Sequence, residues 1–587
     1  MVTNQDVAVR LREIYKLMQL AGMNRFRAIA FDRAARTIEA LPEPVSDYIE
    51  ERSLTDLKGI GKSIAEDIYH YAENGHIPVL DELRETVPDG LIEWLDISGL
   101  GPKNIVKIHK ELGIETMAEL KEACEDGRVA SLQGLGEKSA EKILRSISWL
   151  EQFGQRILLS EAMWISAPFR AVLSKLNGVQ RVDVAGSLRR KRETIGDIDL
   201  LVAAEKEFAE EIFDHFTGQE QVTEVLGRGE TKSSVRTGGG RQVDLRIVSP
   251  EEYPAALLYF TGSKEHNVAL RQRARSRSLT LNEYGLFPVK DDGEPDRTRP
   301  LAVKGEEEIY QKLGMNPVPP ELREGYGEVE EFEEGPGPAL VTVDQIRGVI
   351  HAHSVWSDGK QTIEEMARAC MERGYHYLGI SDHSKSAAYA GGLSEDEVKK
   401  QWDEVDTLNE KFRDEGTEFT IFKGMESDIL SDGSLDYPEA LLEGFDFVIA
   451  SVHSALDMSR DRMTRRFRNA IEHPAVRIVG HPTGRLLLRR EESDLEMDEL
   501  IELAAEHNTA IEINANPWRL DLDWRHGVKA REAGLLTSIN PDAHTIDGID
   551  DIRFGVAIAR KGRFETKRVV NTRSAEEFAS WISGTTN

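Results

Sequence analysis

The chain has 587 residues, two cysteines and a formal net charge of −30, from 104 acidic against 74 basic side chains. Cys124 and Cys370 are too few for a disulfide framework or a thiolate metal site, and no apolar run approaches the roughly 20 residues of a membrane span. A cytoplasmic protein of several domains, without membrane contact, is expected.

Residues 1–150 read as helical throughout, beginning with an amphipathic helix near Val7 to Ala21. A Gly-apolar-Gly turn recurs three times there: Gly59-Ile60-Gly61, Gly99-Leu100-Gly101 and Gly134-Leu135-Gly136. One copy would be an ordinary glycine-capped helix end. Three copies, each beside a lysine, are similar to helix-hairpin-helix DNA-binding elements, whose free N–H groups meet phosphates without reading sequence.

The next stretch, Gly186 to Asp199, reads Gly-Ser-Leu-Arg-Arg-Lys-Arg-Glu-Thr-Ile-Gly-Asp-Ile-Asp. Strand alternation places Asp197 and Asp199 on one face while Ile198 and Leu200 turn to a core. A second alternating run, Gln242 to Ile247, buries Val243, Leu245 and Ile247 and presents Asp244 opposite. Three carboxylates on adjacent strands can hold two Mg²⁺ or Mn²⁺ ions for phosphoryl transfer. Gly186 and Ser187 offer N–H and hydroxyl groups to phosphates, and Arg189, Arg190, Lys191 and Arg192 add positive charge.

With Tyr259-Phe260-Thr261-Gly262-Ser263, Asn267, Arg271, Asn282-Glu283-Tyr284 and Pro320-Glu321-Leu322-Arg323, residues 1–323 resemble a family X DNA polymerase. The resemblance implies that Asp197, Asp199 and Asp244 are the catalytic metal ligands, and that Ser187, Arg190 and Gly196 contact an incoming dNTP. It implies a sugar pocket at Tyr259, Phe260 and Gly262, with Asn267 and Arg271 on the minor-groove edges of incoming and template bases. DNA contacts fall to Gly59, Gly61, Gly99, Gly101, Gly134 and Gly136. The position of the family's Schiff-base lysine holds Asp67, whose carboxylate cannot form an imine.

Residues 324–342 are rich in Gly, Pro and Glu and read as a solvated linker. Beyond them, seven short apolar runs each end in a ligand type and alternate with helical stretches, the rhythm of a (βα)7 barrel with its site at the strands' C-terminal ends. Six of the 15 histidines stand at such ends. The pattern is similar to a PHP (polymerase and histidinol phosphatase) domain. That likeness implies three divalent metals, Zn²⁺, Mn²⁺ or Fe²⁺, on His351, His353, Asp358, His383, Glu426, His453, His481, Asp542 and His544, and phosphoester hydrolysis.

The expected organisation is a helix-hairpin-helix N-terminal domain (1–80), a fingers-like domain with further hairpins (81–150), an α/β nucleotidyltransferase palm (151–255), a nucleotide-binding thumb (256–323), the linker (324–342) and a distorted barrel (343–587). The expected function is template-directed gap filling on gapped or nicked DNA, in a monomer whose barrel trims or dephosphorylates 3′ ends or incises abasic sites. The alternatives are an untemplated nucleotidyltransferase and a DNA-binding scaffold with a silent barrel. The acidic excess repels nucleic acid in dilute buffer, a conflict that vanishes in a saline cytoplasm, where the Debye length is about 3 Å at 1 M; salt adaptation is therefore expected.

Overall fold

The computed structural model describes residues 4–39, 41, 44–57, 59–88, 90–97, 100–153, 156–290 and 294–584. It divides into two compact units, residues 1–154 and 155–587.

The first unit is helical, around a core that runs from Val7 to Ile147. Its three hairpin turns share one construction. The residue between the glycines donates its N–H three residues back, Ile60 to Leu57 at 3.1 Å, Leu100 to Ile97 at 3.1 Å and Leu135 to Leu132 at 2.9 Å. Those side chains are buried, which anchors the turn. The second glycine then opens a helix: Gly61 precedes α1 (Lys62–Asn74), Gly101 precedes α2 (Pro102–Leu112) and Gly136 precedes α3 (Glu137–Phe153). Gly59 and Gly134 adopt φ of 101° and 86°, a conformation that disfavours side chains. Gly99 lies outside the described residues.

In the second unit, helix Leu159–Leu173 packs on a five-stranded sheet of β1 (Val179–Val184), β2 (Ile198–Ala204), β3 (Val222–Arg228), β4 (Lys232–Thr237) and β5 (Gln242–Val248), ordered β1-β2-β5-β4-β3. Only β2 and β5 run parallel, and their register sets Asp199 opposite Asp244. Helices Tyr253–Thr261 and α4 (Lys264–Ser276) and the hairpin Leu279–Asn282/Gly285–Pro288 then surround a separate core that includes Leu258, Leu270 and Tyr310.

Residues 324–342 do not form a solvated connector. They contain the helix α5 (Glu328–Glu334), and Glu324, Glu328, Val329, Phe332 and Val341 are buried. Several acids in this segment and just before it are paired instead. Glu321 accepts from Arg560 at 3.1 Å, Glu324 from Lys561 at 2.6 Å and Glu331 from Arg563 at 2.9 Å. Glu328 meets the buried His266 ring at 2.7 Å.

Seven parallel strands follow in sequence order: β6 (Gly348–Val349), β7 (Tyr377–Ile380), β8 (Thr420–Asp428), β9 (Phe447–Ser451), β10 (Val476–Val479), β11 (Ala510–Asn514) and β12 (Thr537–Asn540). A helix follows every strand, the last being α6 (Ile552–Lys561). The ring closes through one isolated parallel bridge, Ala352 to Ala543. Strands buried on both faces suit the near-continuous Val/Ile/Leu runs of the sequence. One apolar cluster continues from Val243 of the sheet and Phe169 and Phe213 of the helices on it into Val448, Ile511 and Phe564 of the barrel.

Candidate active sites

The first site lies at the C-terminal edge of the loop that precedes β2. Asp199 and Asp244 face each other across the parallel pair, and Asp197 sits exposed two residues earlier. A Cβ on Gly186, whose φ is +56°, would overlap Asp199 Oδ2, so glycine is what lets the turn approach the carboxylate. Burial first, then the charges of Asp197 and Asp244, pushes the Asp199 carboxyl up to about 6. Burial also acts to raise Asp244. Hydrogen bonds from Lys232 (2.6 Å), Gln242 (2.8 Å) and Ser234 outweigh that effect and hold it below the usual carboxylate range. A cleft of about 640 Å³, lined by Gly196, Asp197, Arg236 and Gln242, opens beside the acids.

The residues expected to hold a nucleotide fall into two neighbourhoods joined by helix Tyr253–Thr261. In the first, Ser187 is half-buried in the turn after β1, and Arg190 Nη1 donates to the Thr261 carbonyl at 2.6 Å beside Gly262. In the second, Tyr259 and Phe260 meet edge to face at 5.2 Å, Arg246 lies over Phe260, and Asn267 Nδ2 donates to the Tyr259 carbonyl at 2.8 Å. Arg271 Nε donates to the Asn267 carbonyl at 3.2 Å. The basic run is not an open cationic patch. Arg189 pairs with Glu306, Arg190 and Arg192 pair with Glu324, and Lys191 is turned toward Met163.

The second site gathers all nine candidate ligands at the C-terminal ends of the barrel strands. His353, Asp358, His383 and His544 form one group, His351, His353 and Glu426 a second, and His383, Glu426 and His453 a third, each with ligand atoms within 4.8 Å of one another. His481 Nε2 stands 2.9 Å from Glu426 Oε1, and Asp542 Oδ1 stands 3.1 Å from His353 Nε2. Burial and the imidazoles of His544 and His383 push His353 down to about 3, which leaves it neutral and able to donate a lone pair. His351 Nε2, His353 Nδ1 and Glu426 Oε2 are buried without a hydrogen-bond partner. Buried ring nitrogens and a carboxylate oxygen left unpartnered within a cluster of imidazoles and carboxylates fit divalent metals of the Zn²⁺, Mn²⁺ or Fe²⁺ type.

Sequence reasoning missed Glu512 and Asp428, which stand behind these ligands. Glu512, fully buried on β11, takes the His351 Nδ1 atom at 2.7 Å and the His481 backbone N–H at 2.8 Å, and Asn540 donates to it at 2.9 Å. Asp428 on β8 meets His453 Nδ1 at 2.6 Å. Asp382 accepts from Ser354, Ser357 and Gln401 and ties the loop after β6 to the end of β7. The available signal was Glu512 between Ile511 and Ile513, an acid inside a strand that has no solvent face.

Residues 2–77 match the Helix-hairpin-helix domain family, 91–148 the SAM-like Helix-hairpin-helix tandem, 256–324 the DNA polymerase beta thumb and 350–516 the PHP domain. The chain is 40% identical over 580 residues to the DNA polymerase/3′-5′ exonuclease PolX of Bacillus subtilis (strain 168), covering 98% of this chain and 99% of that one. It is 25% identical over 300 residues to DNA polymerase lambda of Rattus norvegicus, covering 48% of this chain and 49% of the relative. Over 236 residues it is 28% identical to a "probable phosphatase" of Thermoanaerobacter sp. (strain X514), covering 38% and 89%. Among the described residues no helix is long and apolar enough to cross a membrane.

Proposed function

This chain belongs to the family X DNA polymerases that carry a C-terminal PHP domain, and from that premise we propose that it fills gaps in DNA at one site and hydrolyses phosphoesters at DNA 3′ ends at the other. The observation that carries the reading is the presence, in one chain, of two separate ligand clusters: Asp199 and Asp244 on the sheet with Asp197 just before it, and nine imidazole and carboxylate groups at the barrel mouth.

At the first site the three aspartates would hold two Mg²⁺ or Mn²⁺ ions, which supply charge neutralisation and polarise the reacting phosphate. Asp244 would help deprotonate the primer 3′ hydroxyl. Ser187, Gly196 and Arg190 orient the triphosphate of the dNTP, the edge-to-face pair Tyr259 and Phe260 shapes the sugar pocket next to Gly262, and Asn267 and Arg271 face the bases. The hairpin glycines support binding to the DNA backbone. Gly61, Gly101, Gly134 and Gly136 have no atom within 4 Å of a built Cβ, so the protein's own packing does not require glycine at 61, 101 or 136.

At the second site the nine ligands would hold three metals, which supply Lewis acidity for attack by water. Glu512 and Asp428 fix the His351 and His453 rings, and the enclosing strands keep these groups in one orientation. Trimming of unpaired 3′ nucleotides is the favoured activity, ahead of 3′-phosphate removal and abasic-site incision. Asp67 lies on α1 where the family's imine-forming lysine would stand, so borohydride should trap no adduct with an abasic 5′ end. We further propose that the protein is cytoplasmic, acts as a monomer in repair and is salt-adapted.

The test is a pair of substitutions assayed on a gapped duplex and on a 3′-labelled single strand. Asp199→Ala should abolish extension and leave hydrolysis intact, and His351→Ala should do the reverse. Loss of both activities in either folded variant would overturn the two-site reading.

A further inference from the structure

Lys561 closes helix α6 of the barrel, and its side chain is fully buried. An ammonium group out of water is costly unless its protons are satisfied. All three of its oxygen partners come from the polymerase side. Nζ donates to Glu324 Oε1 at 2.6 Å, to the Arg190 carbonyl at 3.0 Å and to the Glu321 carbonyl at 3.1 Å. The same Nζ lies 4.8 Å from the centre of the Trp524 ring.

Glu324 has a second set of partners. Its carboxylate accepts from Arg190 Nε at 3.1 Å and from Arg192 Nη1 at 3.2 Å, while Arg190 Nη1 is held by the Thr261 carbonyl. One buried carboxylate thus links the barrel's lysine to two guanidinium groups of the loop that follows β1. The lysine also pins the main chain of that loop at Arg190. Removing the ammonium has two consequences. Glu324 loses the cation that fixes it from the barrel side, so the two guanidinium groups it holds lose their set placement, and the Arg190 carbonyl loses its donor.

We propose that Lys561 is a positioning residue for nucleotide incorporation: a side chain of the hydrolase barrel that sets, through Glu324 and the Arg190 carbonyl, the loop that receives the dNTP triphosphate. The inference rests on the reading of Arg190 as a triphosphate contact. The polymerase site then depends on the barrel for nucleotide affinity even when the barrel's own chemistry is disabled.

The experiment uses the full chain with a gapped duplex and a single dNTP, and compares Lys561→Met, Glu324→Gln and Arg190→Ala. Lys561→Met should raise the KM for dNTP about tenfold, within the coupling range of directly contacting groups. Its kcat should stay within about twofold, and hydrolysis of a labelled 3′ end should be unchanged. Glu324→Gln, which keeps the size of the side chain, should raise KM similarly and carries the test if Lys561→Met does not fold. If Arg190→Ala raises KM while neither Lys561→Met nor Glu324→Gln does, the inference is wrong. Both activities falling in step with unchanged KM would mark the lysine as a structural pin only. An unchanged KM in Arg190→Ala would instead overturn the placement of Arg190 on the triphosphate, and this inference with it.

Discussion

Glu512 Oε1 lies 2.7 Å from His351 Nδ1, with both side chains fully buried, so the imidazole's orientation is fixed from behind by a carboxylate that is not itself a candidate ligand. Burial opposes protonation of His351, and the negative charges of Glu512, Asp542 and Glu426 overcome it and hold the ring well above its ordinary value. Glu512→Gln should weaken divalent-metal binding at the barrel by about 10- to 100-fold, the usual loss when a carboxylate behind a histidine ligand is removed. Hydrolysis measured against chelator concentration checks this, with gap filling as the unchanged control.

Asp199 should make the palm's metal affinity depend on pH. Its carboxyl is pushed up to about 6, chiefly by burial, and a protonated carboxyl is not a ligand. Below pH 6 the affinity for Mg²⁺ should fall about tenfold per unit as a proton competes for the site, and above pH 6 it should level off. Titration of extension with Mg²⁺ between pH 5 and 8 reads the effect. A response that stays flat through pH 6 would show that Asp199 is ionised throughout.

Gly61 and Gly101 cap their helices at φ of −86° and −77°, values open to any residue, with no atom within 4 Å of a built Cβ. Alanine at either position should cost about 1 kcal/mol or less as a weaker cap. If the vacant space is where a DNA backbone rests, the double variant should lose about tenfold in affinity for gapped duplex through its phosphate contacts. Unchanged affinity would remove these turns from the DNA interface.

The charge of −30 predicts an inverted salt response. Salt ordinarily weakens protein–DNA association by counterion release. Here screening also removes the repulsion from the acidic surface, so extension at 1 M KCl should exceed that at 0.1 M, where the Debye length is about 10 Å. Activity that peaks at 0.1 M and disappears at 1 M would rule out salt adaptation.

The barrel was legible because each ligand ends a short apolar run: Tyr377 to Ile380 is β7 and leads into His383, and Val476 to Val479 is β10 and leads into His481. Asp199 and Asp244 were legible for a related reason, since strand alternation fixes which face an acid takes. Glu512 escaped because its partner His351 lies 161 residues away. The segment from Glu324 misled for the same reason. Glu324 and Glu331 are neutralised by Lys561 and Arg563, more than 230 residues downstream, and composition alone cannot distinguish a solvated acid from one awaiting a remote cation.

His351 and His353 border β6, and Asp542 and His544 border β12, the two staves between which a single bridge completes the ring. An ion gripped by His353 and His544 together would therefore also be a rivet across the split in the wall. Filling the site would then add to the fastening that the Ala352–Ala543 bridge and the Asn571 amide, which donates to both the Gly348 and Ile539 carbonyls, already give the first and last staves.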